Sequence, residues 1–339
     1  MRLRRSWTRA SLAAVLCLAA ISGWAASRAA ALPDASSAIQ SAQRQFNGGD
    51  YAGAISTLQP AVSQNPSSAE AYYWLGRSYY ELRDYDNAIA SDEKSIALDA
   101  NNSVYHQWLG RAYGGKADID RSFSLAKKVK KEFQTAVNLN PSNIAARRDL
   151  EEYCLDAPWI AGGSKDEALQ QVNAIAALDL VEGHLARALY YREGPKSNEQ
   201  AESEYRLVLS ARPKNLEAYF EVADFFQIQN RPADMDAAIQ AAAQASPNDP
   251  RLAFYRGVED VVANQNLPDA EQHLKSYLAS TPDRSDWPGH ASARIWLGKL
   301  YEAEGKRPEA AEQYRAALQL EPRRKEARTR LEKLEKGSQ

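Results

Sequence analysis

The chain has 339 residues, with 42 Lys and Arg against 44 Asp and Glu and a formal net charge of −2. It is rich in Ala, Leu and Tyr and 25% charged, with no segment of strand period, which describes a helix-rich chain larger than one compact core needs. The charge balance excludes a general nucleic-acid binder, which would present a strongly basic face.

The chain opens with Arg2, Arg4, Arg5 and Arg9, an apolar run from Leu12 to Ala26, and Ala29-Ala30-Ala31 before Leu32-Pro33. This basic, apolar, small-residue order is that of a secretory signal peptide, so residues 1–31 are expected to direct export to the periplasm or cell envelope and to be removed. A retained inner-membrane anchor facing the periplasm is the alternative, although the run is short of the roughly 20 residues of a span. Arg4-Arg5 partly matches a twin-arginine signal. The segment carries Arg28 as well and no acid, so its loss leaves a more acidic remainder.

Beyond the leader one pattern recurs. Leu-Gly followed three residues on by Tyr stands at Leu75-Gly76-Tyr79, Leu109-Gly110-Tyr113 and Leu297-Gly298-Tyr301. From Gly298 the offsets 12, 16, 19 and 24 reach Ala310, Tyr314, Ala317 and Pro322, and from Gly76 they reach Ala88, Asp92, Ser95 and Ala100. A glycine in a helix interior costs roughly 1 kcal/mol relative to Ala, so its return at one register implies close helix approach there. Tyr72, Leu75, Gly76 and Tyr79 share one helical face, and Ala88, Ile89 and Ile96 form the facing stripe. Pro66, Pro141, Pro213, Pro247, Pro282 and Pro322 end the second helix of their units. With its period of about 34 residues, the sequence resembles the tetratricopeptide repeat family.

That resemblance implies an all-α, right-handed α-solenoid of about eight helix-turn-helix units, near 35–68, 69–102, 103–143, 144–181, 182–215, 216–249, 250–282 and 291–324, within a solenoid domain spanning 32–339. A capping helix over 323–337 is read from Ala327, Leu331 and Leu334 on one side and charged residues on the other. Two insertions break the period. One lengthens the turn within 114–131 and leads into Lys127, Lys128, Lys130 and Lys131, read as a solvated helix face. The other is 157–163, where Trp159 is expected to plug the neighbouring unit. Ser164 and Glu167 follow as a capping box. Both insertions resemble elongated units in exported bacterial members of the family.

Chemistry-bearing patterns are missing. His106, His184, His273 and His290 are scattered, and no His-Glu-x-x-His, Cys-x-x-Cys, Gly-x-Ser-x-Gly or P-loop spacing occurs. Of Cys17 and Cys154 only the second survives cleavage, at the tyrosine register of the fourth unit, where a buried, inert thiol is expected. The expectation is a non-enzymatic scaffold without cofactor or metal that binds a protein or peptide, with membrane contact only if the leader is retained. A tethered assembly factor for envelope, secretion or polysaccharide machinery is the alternative. The family's groove positions carry over to Tyr73, Arg77, Tyr80, Gln107, Arg111, Phe220, Asp224, Gln227, Lys299 and Glu302. Arg77 and Arg111 beside Tyr73 and Tyr80 suggest a cationic patch for an acidic peptide.

Overall fold

The computed structural model describes residues 35–336; the leader expected at 1–31 lies outside them. The described residues form seventeen α-helices. Sixteen make eight antiparallel pairs: α1 (Ala35–Asn47) with α2 (Tyr51–Gln64), α3 (Ala69–Glu81) with α4 (Tyr85–Leu98), α5 (Ser103–Asp120) with α6 (Phe123–Leu139), α7 (Ile144–Asp156) with α8 (Lys165–Leu178), α9 (Leu180–Glu193) with α10 (Asn198–Ala211), α11 (Leu216–Ile228) with α12 (Pro232–Ala245), α13 (Arg251–Ala263) with α14 (Leu267–Ser280), and α15 (His290–Ala303) with α16 (Arg307–Leu320). The last helix, α17 (Lys325–Lys336), packs on α16.

Local chemistry accounts for the boundaries. Asp50, Ser68, Asp84, Asn102, Ser122 and Asn143 each cap a helix by accepting a bond from an amide in its first turn. Helices α12, α14 and α16 instead carry a proline as their first or second residue, which has no amide to satisfy. At the other end, α2, α6, α10, α12, α14 and α16 all stop two residues before a proline. Turns between paired helices hold a residue of positive φ, a glycine at Gly49 and Gly305 but Arg83 and Arg121 in the second and third pairs.

Odd-numbered helices from α1 to α15 contact one another in succession and form the inner layer, while each even-numbered helix packs on its own partner and on the next inner helix. Glycine sets the crossing distance within a pair. A Cβ at Gly298 would overlap the Tyr314 ring, one at Gly110 the Phe133 ring, and one at Gly76 the Asp92 carboxylate. Leu274 takes that position in α14, against Gly257, and Tyr205 and Tyr314 take it in α10 and α16; these two tyrosines and Tyr277, one turn on in α14, are fully buried. Their hydroxyls stay satisfied, Tyr277 by Pro288 O at 2.7 Å and Tyr314 by Glu302 at 2.6 Å. Gly298→Leu is therefore expected to lower stability by about 1–3 kcal/mol through overpacking, read as an earlier urea midpoint; an unchanged midpoint would contradict the crossing.

The stack does not stay open. Its first turn of helix pairs meets its last through loops. Tyr51 Oη donates to Asp283 O at 3.0 Å, and the Glu81 carboxylate accepts from both Ser285 N and Ser285 Oγ at 2.8 Å. Arg83 pairs with Glu321 at 2.9 Å, Arg323 donates to Asp118 O at 2.8 Å, and Gly49 lies against Pro282. Each contact joins residues more than 200 positions apart, so the concave face becomes the wall of a central space that stays partly open.

Candidate functional site

Closure leaves a central cavity of about 1420 Å³. Its wall comes from α5, α6, α7, α11, α13 and α15, with Tyr80 of α3, the 157–161 turn, the 285–288 loop and the start of α17. α9 does not contribute; an Arg148–Glu221 ion pair at 3.0 Å joins α7 to α11 on either side of it. Aromatic side chains of Tyr80, Phe123, Tyr255, Trp287 and Trp296 share the wall with charged groups.

Five of the residues expected in the groove line this cavity: Tyr80, Arg111, Asp224, Gln227 and Lys299. The other five are elsewhere. Tyr73 packs on the Trp74 and Tyr105 rings. Gln107 is buried and donates to Asp149 at 2.7 Å. Phe220 is 1% exposed and stacked on Tyr255 with ring centroids 4.5 Å apart, because the next inner helix covers it. Glu302 accepts from Tyr314 and pairs with Arg330 of α17 at 3.2 Å, so the capping helix has taken that face.

The cationic patch also needs correction. The Arg77 guanidinium stands over the rings of Phe46, Trp108 and Trp74 at 4.5, 4.2 and 5.1 Å and does not reach the cavity. Arg111 makes a two-pronged pair with Asp149 at 2.8 and 3.0 Å, so its charge is already matched. Neither arginine offers itself to an acidic guest.

What the wall does offer is carboxylate. Arg251 pairs with Glu217, Lys299 with Glu326, and Arg324 with Glu321. Glu152, Asp156 and Asp224 line the cavity with no ion pair among the described residues. Among the described residues Asp224 accepts only the Tyr255 hydroxyl, at 3.2 Å. It is open to the cavity yet enclosed by the ring, and this desolvation, with Glu217 and Glu221 nearby, pushes its carboxyl up to about 7. Glu152 is raised by burial first and then by the charges of Asp149 and Asp156. Asp149, Glu152 and Asp156 recur at helical spacing on α7, a stripe visible in the sequence that the groove register passed over.

The two insertions meet at this wall. Tyr153 Oη lies 2.7 Å from both Ala126 O and Ala161 O, and Lys130 Nζ donates to Gly162 O at 2.8 Å. Lys130 is thus half-buried, whereas Lys127, Lys128 and Lys131 are exposed. Ser164 caps α8 as expected, but the Glu167 carboxylate goes to Lys130 and Gln134 instead of completing a capping box. Trp159 does not plug its neighbour; it is 85% exposed in a short 3-10 turn, Trp159–Ala161. Cys154 is 2% exposed and burial pushes its thiol up to about 12, away from reactivity.

The sequence matches the profile of the tetratricopeptide repeat over residues 39–103 and 255–325, the first and last parts of this stack of helix pairs. Over those two stretches the chain carries tetratricopeptide repeats. Among solved structures it is similar to MamA, at 21% identity over 50% of this chain and 92% of that one, with a TM-score of 0.40. A tetratricopeptide repeat protein from Parabacteroides merdae is 14% identical over 88% of this chain and 98% of its own, with a TM-score of 0.46. A chain of the APC/C hetero-tetramer Cut9-Hcn1 is 11% identical over 88% of this chain, which spans 55% of that chain, with a TM-score of 0.49. No curated protein sequence matches it. Repeats of this family generally mediate protein–protein interaction. Among the described residues, no helix is long and apolar enough to cross a membrane and no group of three His, Cys, Asp or Glu is placed to hold a metal ion.

Proposed function

We propose that this protein is a non-enzymatic adaptor of the bacterial envelope that holds a polypeptide segment of a partner in its central cavity. The observation that carries the reading is the cavity. At about 1420 Å³ it exceeds the roughly 300–1,000 Å³ of ordinary small-molecule pockets, and both aromatic and charged side chains face into it. The leader pattern of Arg2 to Ala31 supports export.

A photo-crosslinking residue at Gln227, inside the cavity, is expected to capture a discrete envelope protein that the same residue at exposed Lys94 does not. Intact mass of the same purified material is expected to begin near Leu32. Identical crosslinking patterns from the two positions would overturn cavity binding, and a mass that includes Arg2–Ala31 would favour the tethered form.

A further inference from the structure

Cavity binding is the premise for asking which kind of segment fits. The two insertions supply one half of the answer. Pinned together by Tyr153 and Lys130, they form a lip where the wall residues Phe123 and Pro158 reach the outside. Phe123 is 58% exposed on it, Trp159 85% and Ile160 53%. Large apolar side chains held in water by a hydrogen-bonded turn forgo burial that each would otherwise gain, as expected of a surface kept for a partner.

The charge of the wall supplies the other half. Its cations Arg111, Arg251, Lys299 and Arg324 are each matched by a carboxylate of this chain. Among the described residues, Glu152, Asp156 and Asp224 have no such counter-charge. Arg121, at the exposed end of α5, is the lining cation with no carboxylate partner among the described residues. A concave wall with carboxylates in excess repels an acidic guest and is complemented by a basic one.

We propose that the cavity receives an extended polypeptide segment bearing Lys or Arg side chains next to an apolar or aromatic anchor. The cations are seated on Glu152, Asp156 and Asp224, and the anchor on the lip of Phe123, Trp159 and Ile160. The partner therefore has a basic segment, where the sequence alone pointed to an acidic one.

Selection from a random dodecapeptide library against the purified protein tests this. Enriched peptides are expected to carry an excess of Lys and Arg together with an aromatic residue. Their affinity should fall about tenfold or more in Glu152→Gln/Asp156→Asn/Asp224→Asn and several-fold in Phe123→Ser/Trp159→Ser. The triple amide variant removes crowded charges and should melt no earlier than the parent, so a loss of binding reads the site and not the fold. Gly114→Trp fills the cavity from a position whose side is open and should abolish binding. Acidic or uncharged peptides that bind the triple variant as well as the parent, yet are blocked by Gly114→Trp, would overturn the basic-guest assignment and leave cavity binding standing. Peptides insensitive to Gly114→Trp, or no enrichment at all, would overturn both.

Discussion

Glu81→Ala/Arg83→Ala/Arg323→Ala is expected to open the ring without unfolding the repeats. In the described structure the first and last helix pairs meet through turns, with no extensive helix-on-helix packing between them. Closure therefore rests on a few polar contacts and the seat of Gly49 on Pro282. The Arg83–Glu321 pair is half-exposed on its Arg side and contributes little, about 0.2–1 kcal/mol. The bonds to the Glu81 carboxylate and from the Arg323 guanidinium involve charged groups and contribute about 1.5–3 kcal/mol each. Removing all three side chains should weaken closure by roughly 3–7 kcal/mol, enough to make the open form common. Each repeat keeps its neighbours, so helix content measured by circular dichroism should not change. Small-angle scattering should show a larger radius of gyration and maximum dimension. A scattering profile superimposable on the parent's would mean that other contacts close the ring.

Glu151→Gln should stabilise the protein at alkaline pH and leave it nearly unchanged in acid. The Glu151 side chain is 0% exposed and neither of its oxygens has a hydrogen-bond partner among the described residues. The nearest cation, Arg148, is 3.9 Å away and is held by both oxygens of Glu221 at 3.1 and 3.0 Å. Burial therefore dominates, and the Glu151 carboxyl is pushed up to about 8 from its ordinary 4.5. Below the ordinary value the acid is protonated in both folded and unfolded chains and nothing is lost. As pH rises from there through about 8, the unfolded chain ionises first and folding pays a growing penalty. An amide cannot ionise, so the melting temperature of the variant relative to the parent should climb across that window, by the equivalent of on the order of 2–4 kcal/mol. A difference that stays flat from pH 5 to pH 9 would show that Glu151 is not titrating in the fold.

The repeat was legible because its signals are local. The Leu-Gly-Tyr register marks where two helices touch, the prolines mark where the second stops, and both survive in enough copies to set the period without any contact being known. The glycines at Gly76, Gly110 and Gly298 face the crossings they implied. Register alone did less well for the site. Tyr80, Arg111, Asp224, Gln227 and Lys299 reach the cavity, but Phe220 lies beneath the next inner helix and Glu302 beneath α17. Trp287, also on the wall, stands in a connecting loop where no groove position applies, and Arg251 opens the seventh unit, onto which the groove register was not carried. The α7 stripe of Asp149, Glu152 and Asp156 was readable as a helical face, but not the direction that face takes.

Residue pattern sufficed for the helix pairs, their order and the small residues at their crossings, since each depends on side chains within about one repeat of each other. Which carboxylates remain without a cation, and that the concave face closes into a cavity at all, depends on the accumulated rotation of eight pairs and on loops that meet from opposite ends of the chain. Small angular changes per repeat add along a solenoid, and a bond such as Ser285 to Glu81 leaves no periodic trace in the sequence. Only the assembled superhelix brings those distant turns within bonding distance.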